Sequence, residues 1–201
     1  MKLFLTSAGL VNKKLSDFFV SILTKDLRDH SVLMNACDQT PDDSRHTEEA
    51  RQELNNLGIS DIVPFDLKDK IFNNYQREFD IIYVCGGNTF TILDRMKKTG
   101  VFDFVKNAVK NNETIYVGVS AGSIIAGQSI EIAGWGSEGD KNEIGLTDFS
   151  GLGFTDVAIF PHFYKELKEE VDSFRKKAKY PVVEIADYQA VYVNEKGYEI
   201  V

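Results

Sequence analysis

A serine between two glycines is the feature of the sequence that most directly suggests chemistry. Residues 118–122 read Gly-Val-Ser-Ala-Gly, follow the apolar stretch 114–117 and precede the small residues of 123–127. A buried strand, a sharp turn and a helix form the context in which Gly-x-Ser-x-Gly presents a nucleophile. Glycines on either side remove side chains that would clash where strand and helix cross. The sequence therefore predicts Ser120 as a nucleophile at the carboxyl edge of a sheet.

A serine nucleophile needs a base, because its hydroxyl is barely ionised at neutral pH. The chain contains three histidines. His30 and His46 lie among charged and polar residues, so they are predicted to be solvated surface side chains. His162 lies in a Pro-His-Phe run between an apolar strand and a helix, which places it at the same sheet edge as Ser120. Position and elimination therefore favour His162 as the base.

A third group should fix the tautomer of the imidazole and stabilise its charge. Asp187 follows a short apolar strand and lies after the histidine in sequence, and it is the acid we select. Glu138, Asp140 and Asp156 lie between the nucleophile and His162, in the chain order of α/β-hydrolases. They remain alternatives at this point.

An oxyanion hole needs two backbone donors beside the reacting oxygen. The amide of Ala121, directly after the nucleophile, is one candidate. Gly86 and Gly87 follow the preceding strand, and glycine lets a peptide turn its N–H inward, so Gly87 is predicted as the second donor and Asn88 as a substrate-binding neighbour. A simpler interpretation is a tight turn in which Asn88 or Thr89 caps the next helix, and both interpretations can hold together.

Strand-like and helix-like segments alternate in the first two-thirds of the chain. The predicted strands are 2–6, 32–34, 62–67, 80–85 and 114–119, and the predicted helices are 13–27, 47–57, 89–98 and 101–110. Helices between strands favour parallel pairing with right-handed crossovers. The sequence therefore predicts a single α/β domain over residues 1–201, with a doubly wound, mostly parallel sheet and helices on both faces in a flavodoxin-like three-layer sandwich. The active site is expected at the carboxyl ends of the strands.

The last third of the chain has a different pattern. A short strand over 156–160, a charged helix over 165–179 and two strands, 182–193 and 198–201, are predicted, with a hairpin turn at 194–197. The glycine-rich stretch 134–153 is the least regular part of the sequence and is predicted to be a mobile loop beside the site.

Composition excludes several function classes. The chain of 201 residues is 43% hydrophobic and carries a net charge of −8 without a basic run, which argues against nucleic-acid binding. Its start reads as a strand rather than a signal peptide, and no apolar run reaches the ~18 residues of a membrane span, so a cytoplasmic location without membrane contact is expected. Cys37 and Cys85 lack zinc or disulfide spacing and are predicted to be buried thiols.

No cofactor or metal is predicted. No histidine or cysteine pair has metal-ligand spacing. Residues 134–139 match Gly-x-Gly-x-x-Gly, but they do not join a first strand to a helix, as dinucleotide binding requires.

Three blocks together resemble the peptidase E family of serine peptidases, relatives of cyanophycinase on the class I glutamine amidotransferase-like fold. They are Gly-Gly-Asn-Thr-Phe at 86–90, Gly-Val-Ser-Ala-Gly at 118–122 and Pro-His-Phe at 161–163. The resemblance spans nearly the whole chain. It implies Ser120 as nucleophile, His162 as base, Gly87 and Ala121 near the oxyanion hole, and an acid after the histidine, where this chain has Asp187.

One departure concerns specificity. Peptidase E cleaves dipeptides that begin with aspartate, and it carries an arginine-containing, glycine-rich insertion soon after the histidine motif. This chain instead continues directly into Tyr-Lys-Glu-Leu-Lys at 164–168. Lys165, Lys168 and Arg175 are the candidates to bind an aspartate carboxylate in its place.

The sequence thus predicts a serine peptidase that acts on small peptides through an acyl-enzyme, because a small domain offers little room for an extended groove. A homodimer is left open. The alternatives are an amidase or esterase, and a non-catalytic binding protein on the same fold. A glutamine amidotransferase would need a cysteine where this chain has Ser120.

Overall fold

A computed structural model describes residues 1–36, 41–67, 77–111 and 113–201. Its strands are β1 (Lys2–Thr6), β2 (Ser31–Ala36), β3 (Asp61–Asp66), β4 (Ile81–Val84), β5 (Ile115–Val119), β6 (Ala158–Phe160), β7 (Val182–Glu184), β8 (Ala190–Asn194) and β9 (Gly197–Ile200). Its α-helices are α1 (Lys13–Ile22), α2 (Pro41–Leu57), α3 (Thr89–Thr99), α4 (Val101–Asn111), α5 (Ala121–Ile125) and α6 (Lys168–Arg175), and short 3₁₀ turns cover Leu27–Asp29, Glu131–Gly134 and Lys165–Leu167.

The main sheet has seven strands in the order β3-β2-β4-β5-β1-β8-β9. The first five of these pair in parallel, and β8 and β9 add antiparallel to the edge beside β1. Every residue of β4 is buried, as expected of a strand covered on both faces. Leu15 and Phe19 of α1 and Leu54 of α2 pack on one face, whereas α3 and α4 pack on the other. The predicted three-layer α/β fold is confirmed.

The strand order brings three loop starts together. β4, β5 and β1 are neighbours and run parallel, so the residues after their carboxyl ends meet at one edge. Those residues are Gly86 and Gly87 after β4, Ser120 after β5 and Ser7 after β1. The backbone N–H of Ser120 donates to the carbonyl of Thr6 at 3.0 Å, which ties two of these loops together.

The predicted strand 182–193 is wrong as a single element. β7 pairs in parallel with β6 in a separate two-stranded sheet, whereas β8 pairs with β1 in the main sheet. Between them the chain turns, with the Ala186 N–H donating to the Gln189 side chain at 3.0 Å. The chain changes sheets here because each half of the apolar run has a different partner. The predicted hairpin is confirmed: β8 and β9 flank the turn at Glu195 and Lys196.

Three further predictions need correction or qualification. His30 is buried, 2% exposed, with Nδ1 3.0 Å from the carbonyl of Asp26, because it lies directly before β2 and turns into the fold. The helix predicted over 13–27 ends at Ile22, since Leu23 is extended. Cys85 is buried, as predicted, and Cys37 lies outside the described residues. Among the described helices, none has both the length and the apolar character to cross a membrane.

Candidate active site

Two backbone outliers mark the site. Ser120 has φ 49° and ψ −107°, and His162 has φ 56°. They are the non-glycine residues with positive φ in the described part of the chain. A left-handed backbone is costly for residues with a Cβ, and it persists where the surrounding structure enforces it, commonly at functional sites. The fold therefore strains the two residues that the sequence selected as nucleophile and base.

Close packing around the serine explains its flanking glycines. A Cβ on Gly122 would lie 2.1 Å from the carbonyl oxygen of Val84, and one on Gly118 would lie 2.6 Å from the backbone of Gly122. Only hydrogen fits at either position. The strand-to-helix turn can therefore bring Ser120 close to β4 only with glycine at positions 118 and 122.

The hydroxyl, imidazole and carboxylate form a continuous hydrogen-bonded chain. Ser120 Oγ is 2.8 Å from His162 Nε2, and His162 Nδ1 is 2.7 Å from Asp187 Oδ1. With Nδ1 protonated and donating to the carboxylate, Nε2 is left as an acceptor for the serine proton. The side chains of His162 and Asp187 are 49% and 64% exposed, so water reaches both of them.

The small sheet positions the histidine and the acid. His162 follows β6 and Asp187 follows β7, and these strands pair in parallel, so their carboxyl ends lie side by side. The Ile185 N–H donates to Phe160 O at 2.9 Å, and the Phe163 N–H donates to Ile185 O at 3.0 Å. These bonds continue the pairing beyond the strands and fix the backbone on both sides of His162.

Ser7 is a member of this network that the sequence reasoning missed. Its Oγ donates to Asp187 Oδ1 at 2.9 Å and accepts from the backbone N–H of His162 at 2.7 Å. The side chain is fully buried. One signal was available: Ser7 is a small polar residue directly after β1, as Ser120 is after β5.

The alternative acids have other partners. Asp140 Oδ2 accepts from the Thr89 N–H at 2.8 Å, at the start of α3. Glu138 accepts from the Tyr164 hydroxyl at 2.5 Å, and Asp156 accepts from the Gln128 amide at 3.1 Å. Of the four acids considered, the structure brings Asp187 alone within hydrogen-bonding distance of His162.

The two predicted backbone donors lie beside the serine. Ala121 is the first residue of α5, and Gly87, with φ 133°, lines the space next to Ser120. Within the described residues, neither N–H has a hydrogen-bond acceptor, so both are available to a ligand.

Asn88 caps the next helix, which is one of the two roles predicted for it. Its Oδ1 caps α3 by accepting from the Thr91 N–H at 3.0 Å, and its Nδ2 donates to Lys141 O at 3.0 Å. The side chain is occupied at both ends because the helix needs an N-cap here. The geometry therefore gives no support to a substrate-binding role for this residue.

Two cavities meet at Ser120 and His162. The α2 cavity, about 300 Å³, extends toward α2 and the loop after β1. The Trp135 cavity, about 200 Å³, extends toward the stretch 132–140 and α6. Gly87, Ser120 and His162 line both cavities. A substrate bound across the serine would therefore place one group on each side.

Both cavities are acidic. His46, Glu49 and Glu53 line the α2 cavity, and the Trp135 cavity is lined by Glu138, Asp140 and Glu170. Among the described residues in the two walls, none is a lysine or an arginine. His46 was predicted to be a solvated surface residue, and its side chain is 49% exposed, but the structure also places it in the wall of the α2 cavity.

The basic residues proposed to bind an aspartate carboxylate lie elsewhere. Lys168 Nζ is 3.1 Å from Asp172 and 3.4 Å from Glu184, and Arg175 pairs with the same two acids. Lys165 lies in the 3₁₀ turn before α6 and lines neither cavity. The ion pairs of Lys168 and Arg175 with Glu184 link α6 to β7.

The glycine-rich stretch 134–153 is anchored at several points. Trp135 Nε1 donates to Glu170 O at 3.0 Å, and the Ser137 side chain donates to the Glu170 carboxylate at 2.9 Å. Apart from a bridge at Ser150, it contains no strand within the described chain, as the composition indicated. These contacts make it a wall of the Trp135 cavity.

Comparisons with known proteins identify related peptidases. The family model described as Peptidase family S51 matches residues 3–201. An uncharacterised peptidase of Listeria monocytogenes is 27% identical over 124 residues, which are 60% of this chain and 59% of that protein. An uncharacterised peptidase of Pasteurella multocida is 26% identical over 71% of this chain and 67% of its own length. Peptidase E of Haemophilus influenzae is 34% identical over 42% of this chain and 36% of that protein.

A solved structure has the same fold. It is a protein of Listeria monocytogenes provisionally assigned as peptidase E, with a TM-score of 0.80 and 23% sequence identity. The superposition covers 100% of this chain and 97% of that one. The likeness extends over the main sheet and the two-stranded sheet that carries the histidine.

Proposed function

The chain belongs to peptidase family S51, and from this membership together with the geometry around Ser120 we propose that it hydrolyses small peptides by a Ser-His-Asp mechanism. The observation that carries the proposal is the chain of hydrogen bonds from Ser120 Oγ through His162 to Asp187. A hydroxyl, a base and an acid in this order are the parts that convert a weak nucleophile into a strong one.

The first half of the reaction forms an acyl-enzyme. Ser120 Oγ attacks the peptide carbonyl carbon as its proton passes to His162 Nε2. The resulting oxyanion accepts hydrogen bonds from the N–H groups of Gly87 and Ala121, which stabilise charge that develops only in the transition state. His162 then gives its proton to the amine nitrogen, the C–N bond breaks, and the amine leaves.

The second half returns the enzyme to its starting state. Water attacks the Ser120 ester as His162 Nε2 takes one of its protons. The acid product leaves, and the proton returns to Ser120 Oγ. In both halves Asp187 keeps Nδ1 protonated and stabilises the imidazolium, and no cofactor is needed.

Short peptides fit the dimensions of the site. The α2 cavity and the Trp135 cavity, of about 300 and 200 Å³, are near or below the lower end of the range for small-ligand pockets. Each has room for about one amino-acid side chain. We therefore propose di- or tripeptides as substrates, with the scissile bond over Ser120.

Hydrolysis of a dipeptide library by wild type beside Ser120→Ala tests the proposal. We expect release of free amino acids from a subset of the library by wild type, and loss of at least 10³-fold in the variant. Cleavage that persists in Ser120→Ala would place the nucleophile elsewhere. Failure of wild type to cleave any short peptide or amide would remove the proposed activity.

A further inference from the structure

An acidic group in the α2 cavity has no countercharge among the residues that the structure describes. Glu53 is half-buried in its wall, and its Oε2 accepts from the backbone N–H of Leu10 at 2.9 Å. Within the described residues no lysine, arginine or histidine pairs with this carboxylate. Burial raises the pKa of Glu53, the Leu10 N–H opposes that rise, and the nearby charge of Glu49 adds to it. A cation bound in the cavity would relieve this cost of burial.

A second, independent feature of the same wall is an unpartnered hydroxyl. Tyr83 is 0% exposed and lines the α2 cavity, and among the described residues its hydroxyl has no hydrogen-bond partner. Burial, followed by the proximity of Cys85 and Glu53, raises the pKa of Tyr83 well above its ordinary value, so the oxygen stays protonated and can accept. Buried polar groups normally have partners, and a ligand N–H would supply one here.

The remaining charges of the cavity do not neutralise Glu53. Glu49 lies 3.4 Å from His46 Nδ1 and 3.8 Å from Arg45 Nε, and these side chains are about half exposed or more, where ion pairs contribute little. Arg45 is not part of the cavity wall. The described charged groups in the cavity wall therefore sum to a negative charge, as does the whole chain, whose net charge is −8.

We infer that the α2 cavity binds a positively charged nitrogen of the substrate, with the Glu53 carboxylate as countercharge and the Tyr83 hydroxyl as a further acceptor. The inference rests on the proposed function, because Ser120 and His162 line the same cavity. The nitrogen can come from the free α-amino group of a peptide or from a lysine or arginine side chain. An aspartate side chain would meet like charge there.

A small set of dipeptides distinguishes these sources. Lys-Leu, norleucine-Leu, Leu-Lys, Leu-norleucine and Asp-Leu are compared, each with its amino group free and acetylated. Norleucine keeps the aliphatic stem of lysine and removes the charge. For each peptide, kcat/KM is measured. A second measurement gives the peptide concentration that halves the rate at which a small fluorophosphonate phosphonylates Ser120. Protection reports binding even where turnover is slow.

The inference predicts a preference of about tenfold or more for a cationic peptide over its neutral counterpart and over acetylated Asp-Leu. Loss of binding when norleucine-Leu is acetylated identifies the α-amino group, whereas a lysine-over-norleucine preference that survives acetylation identifies the side chain. Glu53→Gln keeps an acceptor for the Leu10 N–H but lowers the preference to less than about threefold, and Tyr83→Phe lowers it by a smaller factor. Glu48→Gln is the control, since that residue lies on α2, pairs with Arg51 and lines neither cavity.

Four results would overturn the inference. They are equal binding of neutral and cationic peptides, a preference for acetylated Asp-Leu over the cationic peptides, no protection by any peptide, and a preference unchanged in Glu53→Gln. If Ser120 of the wild type is still phosphonylated, these results leave the proposed function intact. Failure of wild type to react with the fluorophosphonate counts instead against the proposed function, and the inference falls with it.

Discussion

Ser7 Oγ donates a hydrogen bond to Asp187 Oδ1 at 2.9 Å, although the two residues are 180 positions apart in sequence. The same oxygen accepts from the backbone N–H of His162 at 2.7 Å. One buried hydroxyl at the end of β1 therefore joins the acid to the backbone of the base. Because β1 lies inside the main sheet, between β5 and β8, this contact ties the two-stranded sheet to the edge that carries Ser120.

Ser7→Ala should lower kcat and leave KM nearly unchanged. Loss of a hydrogen bond to a charged group costs ~1.5–3 kcal/mol, which corresponds to about ten- to a hundredfold in rate. The defect lies in the orientation of His162 and Asp187 rather than in substrate contacts. Steady-state kinetics on a cleaved dipeptide check this, with Ser21→Ala on α1 as the control, since Ser21 bonds only its own helix. A rise in KM at unchanged kcat would contradict a positioning role.

Asp187→Asn should lower kcat by about 10³-fold or more, because the imidazolium loses its countercharge and the tautomer of His162 is no longer fixed. Asp140→Asn and Glu138→Gln are matched variants of the acids that have other partners, and kcat should stay within about fivefold of wild type for both. Kinetics on the three variants decide among the candidate acids. A larger loss in Asp140→Asn than in Asp187→Asn would assign the acid differently.

Gly122→Ala should destabilise the fold by at least ~3 kcal/mol, because its Cβ would lie 2.1 Å from the carbonyl oxygen of Val84 and cannot be accommodated without backbone movement. Gly100→Ala is the control. It also replaces a glycine, at φ +83° but with nothing within 4 Å of the new Cβ, and should cost only ~1 kcal/mol. Urea denaturation measures both. Equal losses would show that close packing behind Ser120 is not needed.

Protonation of Asp80 should contribute to the loss of folding stability at low pH. Burial opposes its charge, but hydrogen bonds from Lys25 and Ser31 outweigh burial and hold the pKa of Asp80 below its ordinary value of 3.8. A carboxyl whose pKa is lowered by folding stabilises the protein above its unfolded pKa, and that stability is lost as pH falls through the folded value. The free energy of unfolding should therefore fall less steeply below about pH 4 in Asp80→Asn than in wild type. Identical slopes would contradict this assignment.

The sequence predicted the parts of the site that local patterns encode. A strand, a turn and a helix around Ser120 follow from alternating apolar and small residues, and neighbouring parallel strands must place Gly87 and Ser120 at one edge. His162 and Asp187 could be ranked because each follows a short apolar run. Their proximity depends on the pairing of β6 with β7, which the sequence analysis missed by merging β7 and β8 into one strand.

Contacts distant in sequence were not predictable by the same means. Ser7 resembles any polar residue after a strand until the fold brings it to Asp187. In the sequence, Glu53 is typical of the polar face of an amphipathic helix, and Tyr83 is typical of a buried strand. Neither pattern indicates a binding role. The cavity that these two residues share depends on how α2 packs on the main sheet. His30 was misjudged because the charges around it in sequence did not reveal its burial.

Covalent labelling of Ser120 is the most direct test of the central claim. Wild type, Ser120→Ala and His162→Ala are treated with a fluorophosphonate, and the modified residue is located by peptide mass spectrometry. We predict a single adduct on Ser120 in wild type, none in Ser120→Ala and a rate at least about 10²-fold lower in His162→Ala. An unmodified Ser120 in wild type, or equal rates with and without the histidine, would contradict a serine activated by His162.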